Sequence, residues 1–190
     1  MNEVCGWALS SPLMKQYHDQ EWGKPSHDEH YLFMMLILEG KQAGLSWAII
    51  LKRREGMINA FYNFEPHVLA NMDETMIEKL LQDERVIKSR SKIEAVRENA
   101  KAYLKIVKDY GSLSHFLWGH VDYKPIINNV QADSEPITQN ELSIMISKEL
   151  KKYGVKYIGP VIMYSYLQAI GIIDDHLNTC PNKSKKKAII

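Results

Sequence analysis

The chain has 190 residues, 45% hydrophobic and 25% charged, with 24 Lys and Arg against 23 Asp and Glu for a net charge of +1. Those globular values exclude a disordered chain, a collagen-like repeat and a coiled-coil rod. Near-neutral charge also excludes a general affinity for polyanions, so any nucleic-acid contact must come from a local basic face.

The N-terminus, MNEVCGWALSS, lacks the basic start and long apolar run of a signal peptide. The longest apolar run, Leu32 to Leu38, is far too short to cross a bilayer. Cys5 and Cys180 lie almost a chain length apart and imply no disulfide framework. The expected setting is cytoplasmic and reducing, with no membrane partner.

In chain order the sequence predicts helix after helix. Ser26-His27-Asp28-Glu29 reads as a capping box, with Ser26 at N-cap and Glu29 at N3. The helix it opens runs through Tyr31–Leu38 to Glu39, is apolar nearly all round and should be central and buried, with Gly40 as its stop. Gly44 marks a turn before a helix at Leu45–Leu51. Pro66 suits the first turn of a short helix, Asp73 caps Glu74–Leu81, and Ser91 opens a long amphipathic helix ending near Gly111. Ser112–Trp118 is a further short helix. Residues 120–137, with two prolines, read as an irregular crossover. Thr138-Gln139-Asn140-Glu141 is a second capping box, opening a helix to Tyr153 that Gly154 ends. Pro160 starts the last helix, Val161–Ile170, ended by Gly171. The lysines from 183 to 187 read as a mobile basic tail. No alternating strand pattern appears, so the expected class is all-α.

Four constellations could carry chemistry. The first is the connection Val155-Lys156-Tyr157-Ile158-Gly159-Pro160 between two helices. It presents backbone N–H groups at a helix start, where a phosphate oxygen fits, though a plain helical hairpin looks the same. The second is Cys5, His18, His176 and Cys180, two thiols and two imidazoles that complete a tetrahedral structural zinc site or are four unrelated residues. The third is Glu39, a carboxylate in apolar surroundings near Gln42, Trp47, Trp7, Tyr17 and Trp22. It is an exposed last-turn residue, or it is paired with a ligand inside an aromatic cage. The fourth is the run Arg85, Lys88, Arg90, Lys92, Arg97, Lys101, Lys105 and Lys108, which charge alone assigns to a solvated helix face.

These stretches together closely resemble the 3-methyladenine DNA glycosylase I family of helix-hairpin-helix repair glycosylases. The match lies in Cys5-Gly6-Trp7, Tyr17-His18-Asp19 with Glu21-Trp22-Gly23, Glu39-Gly40 with Gln42-Ala43-Gly44-Leu45-Ser46-Trp47, Arg90 with Lys92-Ile93, Asn99-Ala100, Gly154 through Gly159, and Asp175-His176 with Cys180. It covers nearly the whole chain in order.

The resemblance implies a single domain over 1–190, two helical halves sharing a base pocket, with 138–171 as the helix-hairpin-helix unit. It implies a monomer that flips 3-methyladenine out of double-stranded alkylated DNA and hydrolyses its N-glycosidic bond, releasing the free base. Glu39 and Tyr17 would hydrogen-bond that base as the catalytic pair, Trp47 would stack on it, and Trp7 would wall the pocket. Residues 155–160 would hold phosphates, and Cys5, His18, His176 and Cys180 one structural zinc. Asp174 and Asp175 follow the hairpin but directly precede His176, and are read as capping that segment. Two rival classes, a non-enzymatic lesion-binding module and a zinc-stapled interaction protein, need no Glu39 beside Trp47 and Tyr17.

Overall fold

The computed structural model describes residues 3–42 and 44–184; Ala43 of the Glu39–Trp47 stretch and the tail lysines 185–187 lie outside them. The described chain is built from helices α1 (Pro12–Gln20), α2 (Glu29–Lys41), α3 (Trp47–Ala60), α4 (Pro66–Ala70), α5 (Glu74–Gln82), α6 (Arg90–Tyr110), α7 (Leu113–Gly119), α8 (Glu141–Tyr153) and α9 (Pro160–Ala169). A 3-10 turn, Gly6–Ser10, precedes them.

Helix α2 is the axis of the molecule. Leu32 through Lys41 are all buried, and α3, α6, α7 and α9 pack around it. Its predicted start is off by two residues. Asp28, not Ser26, is the N-cap, its carboxylate accepting from the Tyr31 amide at 2.6 Å. Tertiary contacts explain the shift. The Ser26 carbonyl accepts from the Trp118 indole at 2.8 Å and its amide donates to Ile170. Glu29, the expected capping partner, instead accepts from the amides of Leu113 and Ser114 at 3.0 and 2.7 Å. A carboxylate at the N-terminus of α7 satisfies two donors that the helix cannot. Gly40 does not stop α2, which runs one residue further to Lys41.

Other predicted starts shift by as much. Helix α3 begins at Trp47 and runs to Ala60, with Ser46 as N-cap. Ser89, not Ser91, precedes α6; Asp73 caps α5 as expected, and Ser112, read as the first residue of the short helix, is the N-cap of α7. The second capping box is also displaced by two residues. Asn140 accepts from the Ser143 amide, and the Ser143 hydroxyl accepts from the Asn140 amide at 2.9 Å, so a serine takes the role read for Glu141.

The chain is mainly helical, as the all-α expectation has it, with one small addition. Ile126–Ile127 (β1) pairs in parallel with Ile173–Asp174 (β2). Two residues are too few to show alternation, so no pattern announced this pairing. It fastens the 120–137 crossover to the strand leading into His176. Below it the chain end is tied down as well. The Lys183 ammonium donates to the carbonyls of Asn128 and His176 at 2.5 and 2.7 Å, so the segment called mobile is anchored at its first lysine.

Candidate active site and metal centre

Glu39 lies in the last turn of α2, 2% exposed. Burial alone pushes its carboxyl up to about 8, because no donor or cation compensates the desolvation. Tyr17 comes from α1 and is equally buried; burial, then the Glu39 charge, raises its hydroxyl well above the ordinary range. Trp47, the first residue of α3, sets its ring 5.4 Å from that of Tyr17. Trp7, from the N-terminal turn, stands 6.3 Å from Tyr17 and 5.0 Å from Trp22. The four residues expected at the pocket therefore converge from four segments. Glu21 stood in a matched stretch with no role read for it. It takes both guanidinium nitrogens of Arg54 at 2.6 and 2.7 Å, which clamps the end of α1 to α3 and sets Tyr17 against Trp47.

The second cluster sits at the chain ends, one residue along from Tyr17. Ligand atoms of Cys5, His18 and Cys180 all lie within 4.8 Å of one another, every residue buried, so these three could hold a metal ion. His176 falls outside that trio, but its ring lies 4.8 Å from that of His18. Both imidazoles are oriented from behind. His18 Nδ1 meets Asp19 at 2.8 Å and His176 Nδ1 meets Asp174 at 2.8 Å. A carboxylate on Nδ1 leaves Nε2 as the coordinating nitrogen. Gly23 makes room, with φ 71 and a position where a Cβ would come within 2.6 Å of the His176 ring.

Among the described residues, three buried side-chain polar atoms lack a hydrogen-bond partner: Glu39 Oε2, Trp47 Nε1 and His176 Nε2. Buried polar groups are ordinarily paired, so such atoms ask for an explanation. All three belong to the expected base pocket and metal set.

The connection between α8 and α9 has a firm inner side. Val155 and Ile158 are buried, so their side chains serve the core, and only backbone there can meet a ligand. Lys156 is pinned by Asn99, which accepts from its amide at 2.7 Å and donates to its carbonyl. Asn99 stood in a matched stretch with no role read for it. Tyr157 donates to Ser91 at 2.9 Å, and Ser147 holds the Ile158 carbonyl at 2.6 Å. The Gly159 Cα faces open space, and no side chain caps α9 there. The amides that open α9 therefore stand clear.

Two expectations take a definite shape. Asp175 accepts from Tyr164, Gln168 and Asn128 at 2.7, 2.7 and 2.6 Å. Asp174 accepts from the His176 ring and backbone and from the Ser184 amide. Both carboxylates are committed to the fold, as the capping reading requires. The basic run is a solvated face: Arg90 pairs with Glu74 and Glu78, Arg97 and Lys101 with Glu98, and Lys88 with Glu84.

The chain matches the family described as Methyladenine glycosylase over residues 7–183. It is 42% identical over 184 residues to a DNA-3-methyladenine glycosylase of Haemophilus influenzae, covering 97% of this chain and all of that protein. It is 42% identical over 178 residues to DNA-3-methyladenine glycosylase 1 of Escherichia coli, covering 94% and 95%. A crystal structure of a 3-methyladenine DNA glycosylase I variant in complex with 3-methyladenine superposes with a TM-score of 0.93 at 42% identity, over 98% of this chain and all of that one.

Proposed function

The chain belongs to the methyladenine glycosylase family, and on that premise we propose that it is a DNA-3-methyladenine glycosylase of base-excision repair whose pocket is the space between Glu39, Tyr17, Trp47 and Trp7. The observation that carries the site reading is the pair of orphaned buried atoms, Glu39 Oε2 and Trp47 Nε1. An acceptor and a donor without partners beside an aromatic wall suit a flat base that brings both kinds of group.

Methylation at N3 leaves the base cationic and makes it a good leaving group. Water adds at C1′ and gives up a proton, the N-glycosidic bond breaks, and the base departs with the bonding pair and loses its charge. Enzyme residues then contribute mainly by binding and orienting the extruded nucleotide. Glu39 accepts from the adenine edge and favours the cation. Tyr17 bonds the same base, and Trp47 stacks on it with a cation–π gain. No water-activating role is given to Asp174 or Asp175, whose oxygens are occupied. The residues 155–160 and the start of α9 hold phosphates as a helix-hairpin-helix unit, through backbone N–H groups at Gly159 and beyond.

The chain ends fit a structural zinc. Cys5, His18, Cys180 and His176 are the ligands, and the unpartnered His176 Nε2 with both Nδ1 atoms held by aspartates supports that set. With those four residues as ligands a zinc would have no open position for catalysis and would supply rigidity near Tyr17.

Incubation with N-methylated duplex DNA, followed by chromatography of the released bases, tests the function. Free 3-methyladenine is the expected product. Lesion binding without release would favour the non-enzymatic module.

A further inference from the structure

Two open grooves lie on the surface, and their charges differ. One, about 370 Å³, adjoins Tyr157 and is lined by Lys156 with Glu94 and Glu98, so carboxylates outnumber cations. The other, about 470 Å³, lies between the outer face of α3 and the turn after α5. Its lining of Ile49, Lys52, Arg53, Gly56, Glu84 and Arg85 sets three cations against one carboxylate. Adding the turn's ion-pair partners, Asp83 and Lys88, leaves the same excess of two positive charges. On a chain of net charge +1 this is a local concentration of charge.

The second groove is built, not merely exposed. Gly56 lets the turn come close, since a Cβ there would meet the Arg85 Cβ at 3.2 Å. The Arg53 guanidinium bonds the carbonyls of Glu84 and Val86 at 3.1 and 3.3 Å. Asp83 takes Nε and Nη2 of Arg85 and holds it at the rim. Lys52 makes no ion pair or hydrogen bond among the described residues and is exposed.

Position relative to the pocket decides the partner. Trp47 starts α3 and walls the pocket, so Lys52 and Arg53 lie five and six residues further on, about 8–9 Å along the axis. The hairpin packs against α2's end, where the Gly40 Cβ position meets Tyr157 at 3.5 Å. If the hairpin holds the strand that carries the lesion, the complementary backbone lies one groove width away. That is about 6 Å across the minor groove and 12 Å across the major groove.

We propose that the groove between α3 and the 83–86 turn seats the backbone of the strand opposite the lesion, with Lys52, Arg53 and Arg85 facing its phosphates and Ile49 beside its sugars. This rests on the pocket reading above. It gives the enzyme a hold on duplex DNA that single strands do not share.

The test is a Lys52→Ala/Arg85→Ala variant titrated with a duplex carrying a tetrahydrofuran abasic site and with the same lesion strand alone. Removing two phosphate contacts should flatten the log–log salt slope for duplex by about 2 and weaken binding about tenfold or more near physiological salt. Affinity for the single strand should stay within about twofold. Unchanged duplex affinity and slope, or an equal loss on the single strand, would overturn the assignment. Tryptophan fluorescence with free 3-methyladenine separates the two readings. A variant that binds the base normally but holds duplex poorly supports the groove. A parent protein that binds no free base refutes the pocket, and this proposal with it.

Discussion

Glu39 and His176 each bury one polar atom that no group among the described residues satisfies, yet their surroundings differ. Behind His176 stands Asp174, itself fixed by the Ser184 amide, and Asp19 does the same for His18. For Glu39 no such support is seen among the described residues, and burial is what raises its carboxyl. The cluster at the chain ends is oriented from outside, as a resident ion requires. The carboxyl of the proposed pocket is left uncommitted, as suits a base that arrives as a cation and departs neutral. An aspartate behind Glu39 would fix it and repel its charged form; a bare imidazole at the chain ends would lose its tautomer.

The largest expected effect would come from breaking the resident side. Cys180→Ser should abolish stoichiometric zinc. Loss of about 3–5 kcal/mol of metal-linked stability lowers Tm by roughly 10 °C, at about 2–4 °C per kcal/mol for a chain this size. Metal analysis beside a thermal melt checks both. Full zinc content, or an unmoved Tm, would remove the difference between the two regions. A second blow on the same side is gentler. Asp174→Asn keeps the shape but weakens the hold on the imidazole, and should cost about 10–100-fold in zinc affinity by competition with a chelator.

On the transient side, Glu39→Gln should weaken binding of 3-methyladenine by about 1–3 kcal/mol, roughly five- to 150-fold, as a charge-assisted hydrogen bond becomes a neutral one. Stability should respond in the opposite sense. Glu39 has a folded value near 8 above an ordinary value of 4.5, so the folded chain holds a proton that the unfolded chain has lost between those limits. Its contribution is present below pH 4.5 and fades as pH rises through 8. Glu39→Gln should therefore be relatively more stable at pH 9 than at pH 5. Base affinity equal to that of the parent would place the recognition carboxylate elsewhere.

These contrasts show what was legible in the sequence. Glu39, Tyr17, Trp47, His176 and both cysteines stood out because chemistry that needs rare residue types in isolation leaves a visible motif. Asp174 was read only as a cap, Asp19 stood in a matched stretch with no role, and Arg54 behind Glu21 did not stand out at all. Charged residues are common, and only the fold says which of them face inward. The capping boxes failed by two residues for a related reason. Ser26 and Glu29 have the right local pattern, but Trp118, Leu113 and Ser114 claim their atoms from 84 to 92 positions away. The two-residue strand pair was beyond any periodicity argument.

Lys41 extends the comparison to a buried charge that serves neither a ligand nor a metal. It lies two residues after Glu39, 2% exposed, with its ammonium 4.4 Å over the Phe61 ring and one carbonyl, that of Lys92, at 3.3 Å. Lys92 returns the contact to the Lys41 carbonyl at 3.0 Å, which ties the end of α2 to the start of α6. Burial, with the Lys92 charge second, pulls Lys41 down to about 7 from 10.5. Between those values the unfolded chain binds the proton more tightly, so stability climbs with pH from about 7 and levels above 10.5. Lys41→Met keeps the volume and removes the charge. It should gain on the order of 1–3 kcal/mol at pH 6, a rise of a few degrees in Tm, and lose most of that advantage by pH 10. Base binding should hold within about twofold, since neither the ring contact nor the Lys92 carbonyl belongs to the pocket. Parallel melting curves for the two proteins from pH 6 to 10 would show that Lys41 keeps its charge in the fold. The ring and the carbonyl would then compensate its desolvation, something no group among the described residues does for Glu39.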